Sequence, residues 1–335
     1  MMNRRALVGG VCATLPLVAI CPRQSRAAEF SMKWGTALSA SHPVALRCVE
    51  ALNAIREETS GRVEIELFPN SQLGGDSDML SQVRSGALEF LTSAGVSIGT
   101  FVRDAGIINM PFAFDSYDQI WPAVDGDFGA LVRAAITKTG LHVFDRFWDN
   151  GFRQITTAAR PVNGPDDLRG LKIRVPASPL NTALFRSLGA SPLVLNVAEV
   201  YSALQTRVVD GQENPLAQVS LFKFYEVQKH CALTDHVWDG FILLANGPVW
   251  ADLPKDLQAI VSRHIDAAAL RQREDMAALN AMLRSRLEQQ GMTFTVPEKP
   301  LFRRVLKETN FYTEWQGKYG PELWSLLTKY ASALG

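Results

Sequence analysis

The chain has 335 residues, 47% of them hydrophobic and 20% charged; this is a globular composition, too long for one core, and it suggests about two domains. Lys plus Arg and Asp plus Glu each number 34, so nothing points to nucleic acid or another polyanion, and no like-charge run suggests a tail. The balance favours a small partner or a neutral one.

The chain opens on Arg4 and Arg5, an apolar stretch over 6–20, and Ser25-Arg26-Ala27-Ala28, whose small residues suit cleavage near Ala27 or Ala28. This is the pattern of a secretory signal, with the mature protein starting near Glu29. A membrane anchor is the alternative, but the stretch contains Pro16 and falls short of the roughly 20 residues that a spanning helix needs. Cys21 follows Ile20, where a lipid-modified start would have a small residue. Cys12 also lies in the removed segment, which leaves Cys48 and Cys231. The pair could form a disulfide in an oxidising compartment, but Cys48 lies on the stripe Ala45, Cys48, Val49, Leu52, Ile55 and reads as a buried small hydrophobe.

From Lys33 onward strands and helices alternate, as in an α/β protein. Residues 30–35 read as a strand, and a helix starts at Pro43, a favourable first helical residue, and ends before Gly61. In 62–68, Val63, Ile65 and Leu67 alternate with charged residues at the period of a half-exposed strand. Asp76 or Ser77 caps a helix carrying Met79, Leu80 and Val83, and Gly86 ends it. Strands follow over 88–92, 141–148, 171–175 and 208–210, with helices over 127–138, 179–188 and 197–206. These spacings suit crossovers in parallel sheets. Residues 255–290 contain neither proline nor glycine and read as one long helix or two consecutive ones, either bracing two lobes or packing as an ordinary helix with a charged face.

Gly95-Val96-Ser97-Ile98-Gly99 matches the nucleophile elbow G-x-S-x-G after a strand, so a secreted serine hydrolase using Ser97, with His230, His236 or His264 as partner, is a competing reading. Against it, only about 70 mature residues precede Ser97, and no glycine-rich oxyanion segment comes first. His230, Cys231 and His236 fit no common zinc spacing. No nucleotide-binding or zinc-protease motif occurs, and no cofactor or metal is called for.

In Leu171-Lys172-Ile173-Arg174-Val175-Pro176 the apolar residues share one face, and Arg174 points from the other near the strand's C-terminal edge, where open α/β sheets bind ligands. A guanidinium there offers a fork that meets a carboxylate with two hydrogen bonds. The alternative is a surface arginine paired with a nearby acid.

Four segments in order, NGFRQ at 150–154, DLRGLKIRVP at 167–176, EVYSALQT at 199–206 and VDGQENP at 209–215, closely resemble the DctP-type substrate-binding proteins of TRAP transporters, and the resemblance covers nearly the whole mature chain. It implies a two-lobed periplasmic binding protein fold of α/β class, with hinge strands and a long helix spanning both lobes. The division it suggests is a signal peptide over 1–28, lobe I over 29–150 and 240–279, and lobe II over 151–239 and 280–335. It also implies a periplasmic monomer that binds a small organic acid, such as a C4-dicarboxylate or a uronate, and hands it to the small and large TRAP membrane subunits.

By the same resemblance Arg174 makes the principal salt bridge to the ligand carboxylate, Arg153 and Asn214 add hydrogen bonds, and Leu73-Gly74 and the Ser93 region line the opposite lobe. Where the sialic-acid-binding branch has an acid after that strand, this chain has Ala94 and Gly95, which points away from sialic acid. Trp148 and Trp238 could wall the cleft, although tryptophan is more often core. An ABC-type or sensor-coupled binding protein would share the cleft and deliver the ligand elsewhere.

Overall fold

In the first strand Met32 and Trp34 are buried while Ser31 and Lys33 are exposed, the alternation expected of a sheet with one face on a core. The computed structural model describes residues 27–332 and 334. The signal segment, with Arg4, Arg5, Cys12 and Cys21, lies outside the described residues except for Ala27 and Ala28.

The strands are β1 Phe30–Thr36, β2 Val63–Phe68, β3 Phe90–Ala94, β4 Leu141–Val143, β5 Trp148–Thr157, β6 Lys172–Val175, β7 Ser191–Val194, β8 Gly211–Pro215, β9 His230–Ala232, β10 Trp238–Asn246 and β11 Thr293–Thr295. Their main order is β2-β1-β3-β10-β5-β8-β6-β7. Pairing is parallel within each end of this path, β1 with β2 and β3, and β6 with β7 and β8. The centre is antiparallel: β10 pairs with β3 and β5, and β5 with β8. Each end is built from strand–helix–strand units, and β5 and β10 run between them.

The strand expected over 141–148 is therefore two, β4 and the start of β5. The strand expected over 208–210 begins three residues later, at Gly211, because 208–210 form the turn that leads into β8. Strand β10 gave no signal in the sequence because it is buried throughout, so it carries no period-2 alternation.

The chain from Lys255 to Gln289 is one unbroken helix. Its first half contributes Leu257, Val261, Ile265, Ala268 and Ala269 to the core around β1 and the helix Pro43–Glu58. Its second half places Met276 and Leu283 with Ala217, and burial of each such side chain contributes about 1.5–3 kcal/mol. Midway, Gln272 clamps β5: its Oε1 accepts from the Asp149 N–H at 2.8 Å and its Nε2 donates to the Asp149 carbonyl at 2.7 Å. The C-terminal helices bridge as well, with Lys299–Glu308 packed on Pro179–Ser187 and Pro321–Tyr330 on Tyr117–Asp125 and Asp127–Thr137. Cys48 and Cys231 are buried, unpaired, and in different hydrophobic cores. Among the described residues no helix is long and apolar enough to cross a membrane.

Candidate functional site

Strand β5 changes partners partway along. Residues 148–152 pair with β10, and Arg153 to Thr157 pair with β8. Opposite this change, the register of β10 shifts between Asp239 and Gly240, a bulge of the kind that re-aims side chains beside functional sites. Gly151, next to the change, takes φ +108°, a conformation that suits glycine. The crossover thus brings Arg153, Glu213 and Asp239 together between the two ends of the sheet, the sort of switch point where open α/β folds bind ligands.

Arg153 is consumed by this meeting. Its Nε and Nη2 engage both carboxylate oxygens of Glu213, Nη1 donates to Asp239 Oδ2 at 2.8 Å, and Nη2 also reaches the Glu213 carbonyl at 2.8 Å and Asn214 Oδ1 at 3.3 Å. His236 Nε2 lies 3.1 Å from Glu213 Oε2. Burial alone would raise the Glu213 pKa, but the Arg153 charge and the hydrogen bonds from His236 and Arg153 outweigh it and hold Glu213 at about 2. Charge is thereby balanced where water is excluded.

Arg174 differs. It is 2% exposed and forms no ion pair among the described residues. Instead Nε and Nη2 both donate to the Leu195 carbonyl, at 2.9 and 2.6 Å. Burial lowers its pKa to about 10, with the Glu213 charge pulling the other way, so it stays charged at neutral pH. This leaves the Nη1–Nη2 end of the guanidinium, a ready fork for a carboxylate.

Arg174, Arg153 and Asn214 line one narrow cavity. The facing wall brings Thr36, Asp76, Thr92 and Ser97, and Leu38, Val197 and Phe241 supply apolar surface. Asn214 is held in place: Nδ2 donates to Gln212 Oε1 at 2.6 Å, and Gln212 in turn donates to Thr156 Oγ1 at 2.8 Å. Gln218, also on the wall, donates to Asn150 Oδ1 at 2.9 Å. These side chains are oriented before any ligand arrives.

Two expected contacts fall elsewhere. Ser93 is buried, and its Oγ donates to the Ala94 carbonyl at 3.3 Å; its strand neighbours Thr92 and Ala94 reach the cavity, because successive residues of β3 face opposite ways. Trp148 is fully buried in the core that holds Phe90 and Phe144. Trp238 is also core, its Nε1 donating to Asp149 Oδ1 at 3.0 Å. Leu73 and Gly74 lead to the wall, but the residue that lines it is Asp76.

Asp76 was legible only as a helix start. Burial raises its pKa to about 6, partly offset by Arg174. Thr36 and Phe241 lie far apart in the chain and carried no local signal.

Ser97 reaches the cavity without a basic partner among the described residues. His236 engages Glu213 and, at 2.8 Å, Thr234 Oγ1; His230 lies 2.7 Å from Thr293 Oγ1, and His264 lies 2.7 Å from Glu58 Oε2. The nucleophile–base pair that a serine hydrolase requires is not formed by any of the three.

The family model of the bacterial extracellular solute-binding proteins, family 7 (DctP), matches residues 34–312. The C4-dicarboxylate-binding periplasmic protein DctP of Rhodobacter capsulatus is 32% identical over 291 residues, covering 84% of this chain and 86% of that protein. The 2,3-diketo-L-gulonate-binding periplasmic protein YiaO of Escherichia coli is 34% identical over 239 residues, covering 71% and 73%. An uncharacterized protein of Sinorhizobium fredii, 31% identical, matches over 81% of this chain and 50% of its own length.

Among solved structures, a TRAP periplasmic solute-binding protein from Sulfurospirillum deleyianum with bound succinate superposes with a TM-score of 0.84 at 27% identity, covering 90% of this chain and 99% of that one. One from Roseobacter denitrificans with bound L-galactonate gives 0.84 at 29% identity, with coverage of 90% and 99%.

Proposed function

The chain belongs to the DctP family of TRAP transporter solute-binding proteins, and on that premise we propose that it captures a carboxylate-bearing organic acid in the cleft and delivers it to the small and large membrane subunits of a TRAP transporter. The place of action is the periplasm. The observation that carries this reading is Arg174, a buried and charged guanidinium that lines the cavity, with its fork held open by Leu195. A buried charge without an ion-pair partner is costly, and a ligand carboxylate supplies that partner. The reading is further supported by the acids bound to relatives, succinate in one and L-galactonate in another.

Function here is binding with lobe closure and no bond-making step. Arg174 anchors the carboxylate, and Asn214 and Gln218 offer amide groups along the ligand. Arg153 holds Glu213 and Asn214 in position and contributes its field. Closure removes water and strengthens the ion pair.

A thermal-shift screen of the mature protein against C4-dicarboxylates, aldonates, uronates, keto acids and neutral sugars tests the proposal, because a ligand that binds only the folded state raises the melting temperature. Stabilisation by one or a few acids is expected. Stabilisation by a neutral compound and by no acid would remove Arg174 as the anchor.

A further inference from the structure

We propose that the ligand carries a single carboxylate, held by Arg174, and that its far end presents a hydrogen-bond donor, a hydroxyl or an ammonium, to Asp76, so that a second carboxylate there is rejected. This rests on the reading of Arg174 given above and narrows it.

Among the described residues, the ionisable groups that line the cavity are Arg153, Arg174 and Asp76. Arg153 already faces two carboxylates, Glu213 and Asp239, so its charge is spent within that cluster before any ligand enters. A ligand carboxylate drawn to Arg153 would meet both acids. Among the described residues Arg174 is therefore the one cation on the wall left to neutralise an anion, and the remaining charged group there is an acid.

Asp76 opens the helix Asp76–Ser85, yet it does not close the helix end: Asp78 does so, its Oδ2 accepting from the Gly75 N–H at 3.0 Å. Asp76 lines the cavity. Burial raises its pKa to about 6, so at neutral pH it is mostly ionised and accepts hydrogen bonds. Beside it Thr36 Oγ1 accepts from the Leu38 N–H at 3.3 Å, and Thr92 Oγ1 accepts from Trp34 Nε1 at 2.8 Å. The Thr36 hydroxyl keeps a proton to donate, which matches a ligand hydroxyl oxygen, whereas Thr92 also faces the buried Cys48 thiol. A dianion would place its second charge against Asp76 in a low-dielectric cleft, where like charges repel strongly.

The test uses acids that differ only at the far end, titrated calorimetrically into the mature protein: 4-hydroxybutanoate, 4-aminobutanoate and succinate, then gluconate and glucarate. The expected result is that in at least one series the monocarboxylate binds more than about tenfold tighter than its dicarboxylate, and that Asp76→Asn brings the two within about threefold. Preference for 4-hydroxybutanoate or for 4-aminobutanoate identifies the donor. If succinate or glucarate binds as tightly as its monocarboxylate, or if Asp76→Asn leaves a preference unchanged, this inference is overturned while the Arg174 anchor stands. If none of the five binds, the ligand class assigned to the cavity is wrong. Affinity that survives Arg174→Ala unchanged would instead overturn the underlying reading.

Discussion

Arg174 is bonded twice to a single acceptor, the Leu195 carbonyl, through Nε at 2.9 Å and Nη2 at 2.6 Å. This fixes the plane of the guanidinium before binding and aims its free end into the cleft. Fixing that plane in advance reduces the ordering cost of binding. Arg174→Ala should weaken binding of the cognate acid by about 2–5 kcal/mol. Arg174→Lys should recover only a minor part, since an ammonium can neither bond Leu195 from two nitrogens nor present a fork. Calorimetric titration of both variants checks this, and equal affinity for wild type and Arg174→Lys would show that charge alone is used.

Arg153 and Arg174 should separate in stability as they do in bonding. Arg153→Met strands Glu213 and Asp239, both fully buried, and should destabilise the ligand-free protein by about 3–5 kcal/mol. Arg174→Ala removes a buried charge that has no counter-ion among the described residues, and the lost bond to Leu195 offsets much of that relief. Its stability should change by less than about 1 kcal/mol. Urea unfolding of the two variants provides the comparison.

The two lobes meet where Gly75 faces Asn196. A Cβ built on Gly75 would lie 2.6 Å from both Cγ and Oδ1 of Asn196 and 2.8 Å from Nδ2, closer than real contacts allow. Gly75 precedes Asp76 on one wall, and Asn196 precedes the helix Val197–Gln205 on the other. Gly75→Ala should therefore oppose closure at a cost of about 1–3 kcal/mol, read as weaker ligand affinity. Adding Asn196→Ala should restore most of it. If the double variant binds no better than Gly75→Ala, the contact does not govern closure.

Asp149 sets a pH dependence. It sits on the hinge strand β5, fully buried, accepting from Trp238 Nε1 at 3.0 Å and the Tyr117 hydroxyl at 2.9 Å. Burial wins over these bonds and raises its pKa from 3.8 to about 6. The folded state thus holds this proton more tightly than the unfolded chain does. The stability Asp149 contributes is complete below pH ~4 and is lost as pH rises to ~6, about 3 kcal/mol in all. Asp149→Asn should abolish that loss. The difference in unfolding free energy between variant and wild type, followed from pH 4 to 7, isolates it from other titrating groups.

The sequence was most legible where pattern is local. The alternation of Val63, Ile65 and Leu67, the stripe around Cys48 apart from Val49, which is exposed, and the long run without proline or glycine each matched an element of the structure. Arg174, Arg153 and Asn214 were legible because they lie in short, distinctive segments, and the fold brings all three to one cavity. What was not legible depends on long-range pairing. Strand β10 has no surface-facing residue to mark its period, and the partner change of β5 at Arg153 exists only once β8 and β10 are in place. Ser93 was chosen by neighbourhood, and one step of strand alternation turns it away in favour of Thr92 and Ala94. Asp76 looked like an ordinary cap because its role depends on Arg174, which is remote in sequence.

The most direct test of the central claim titrates the acid that stabilises the protein best, and its uncharged primary amide, into wild type and Arg174→Ala. If Arg174 pairs with the carboxylate, the acid should bind wild type far more tightly than the amide does, and the two should bind the variant about equally, giving a coupling of at least about 1.5 kcal/mol. Loss of affinity for acid and amide by the same factor would contradict the account, because Arg174 would then support the cleft without recognising the ligand's charge.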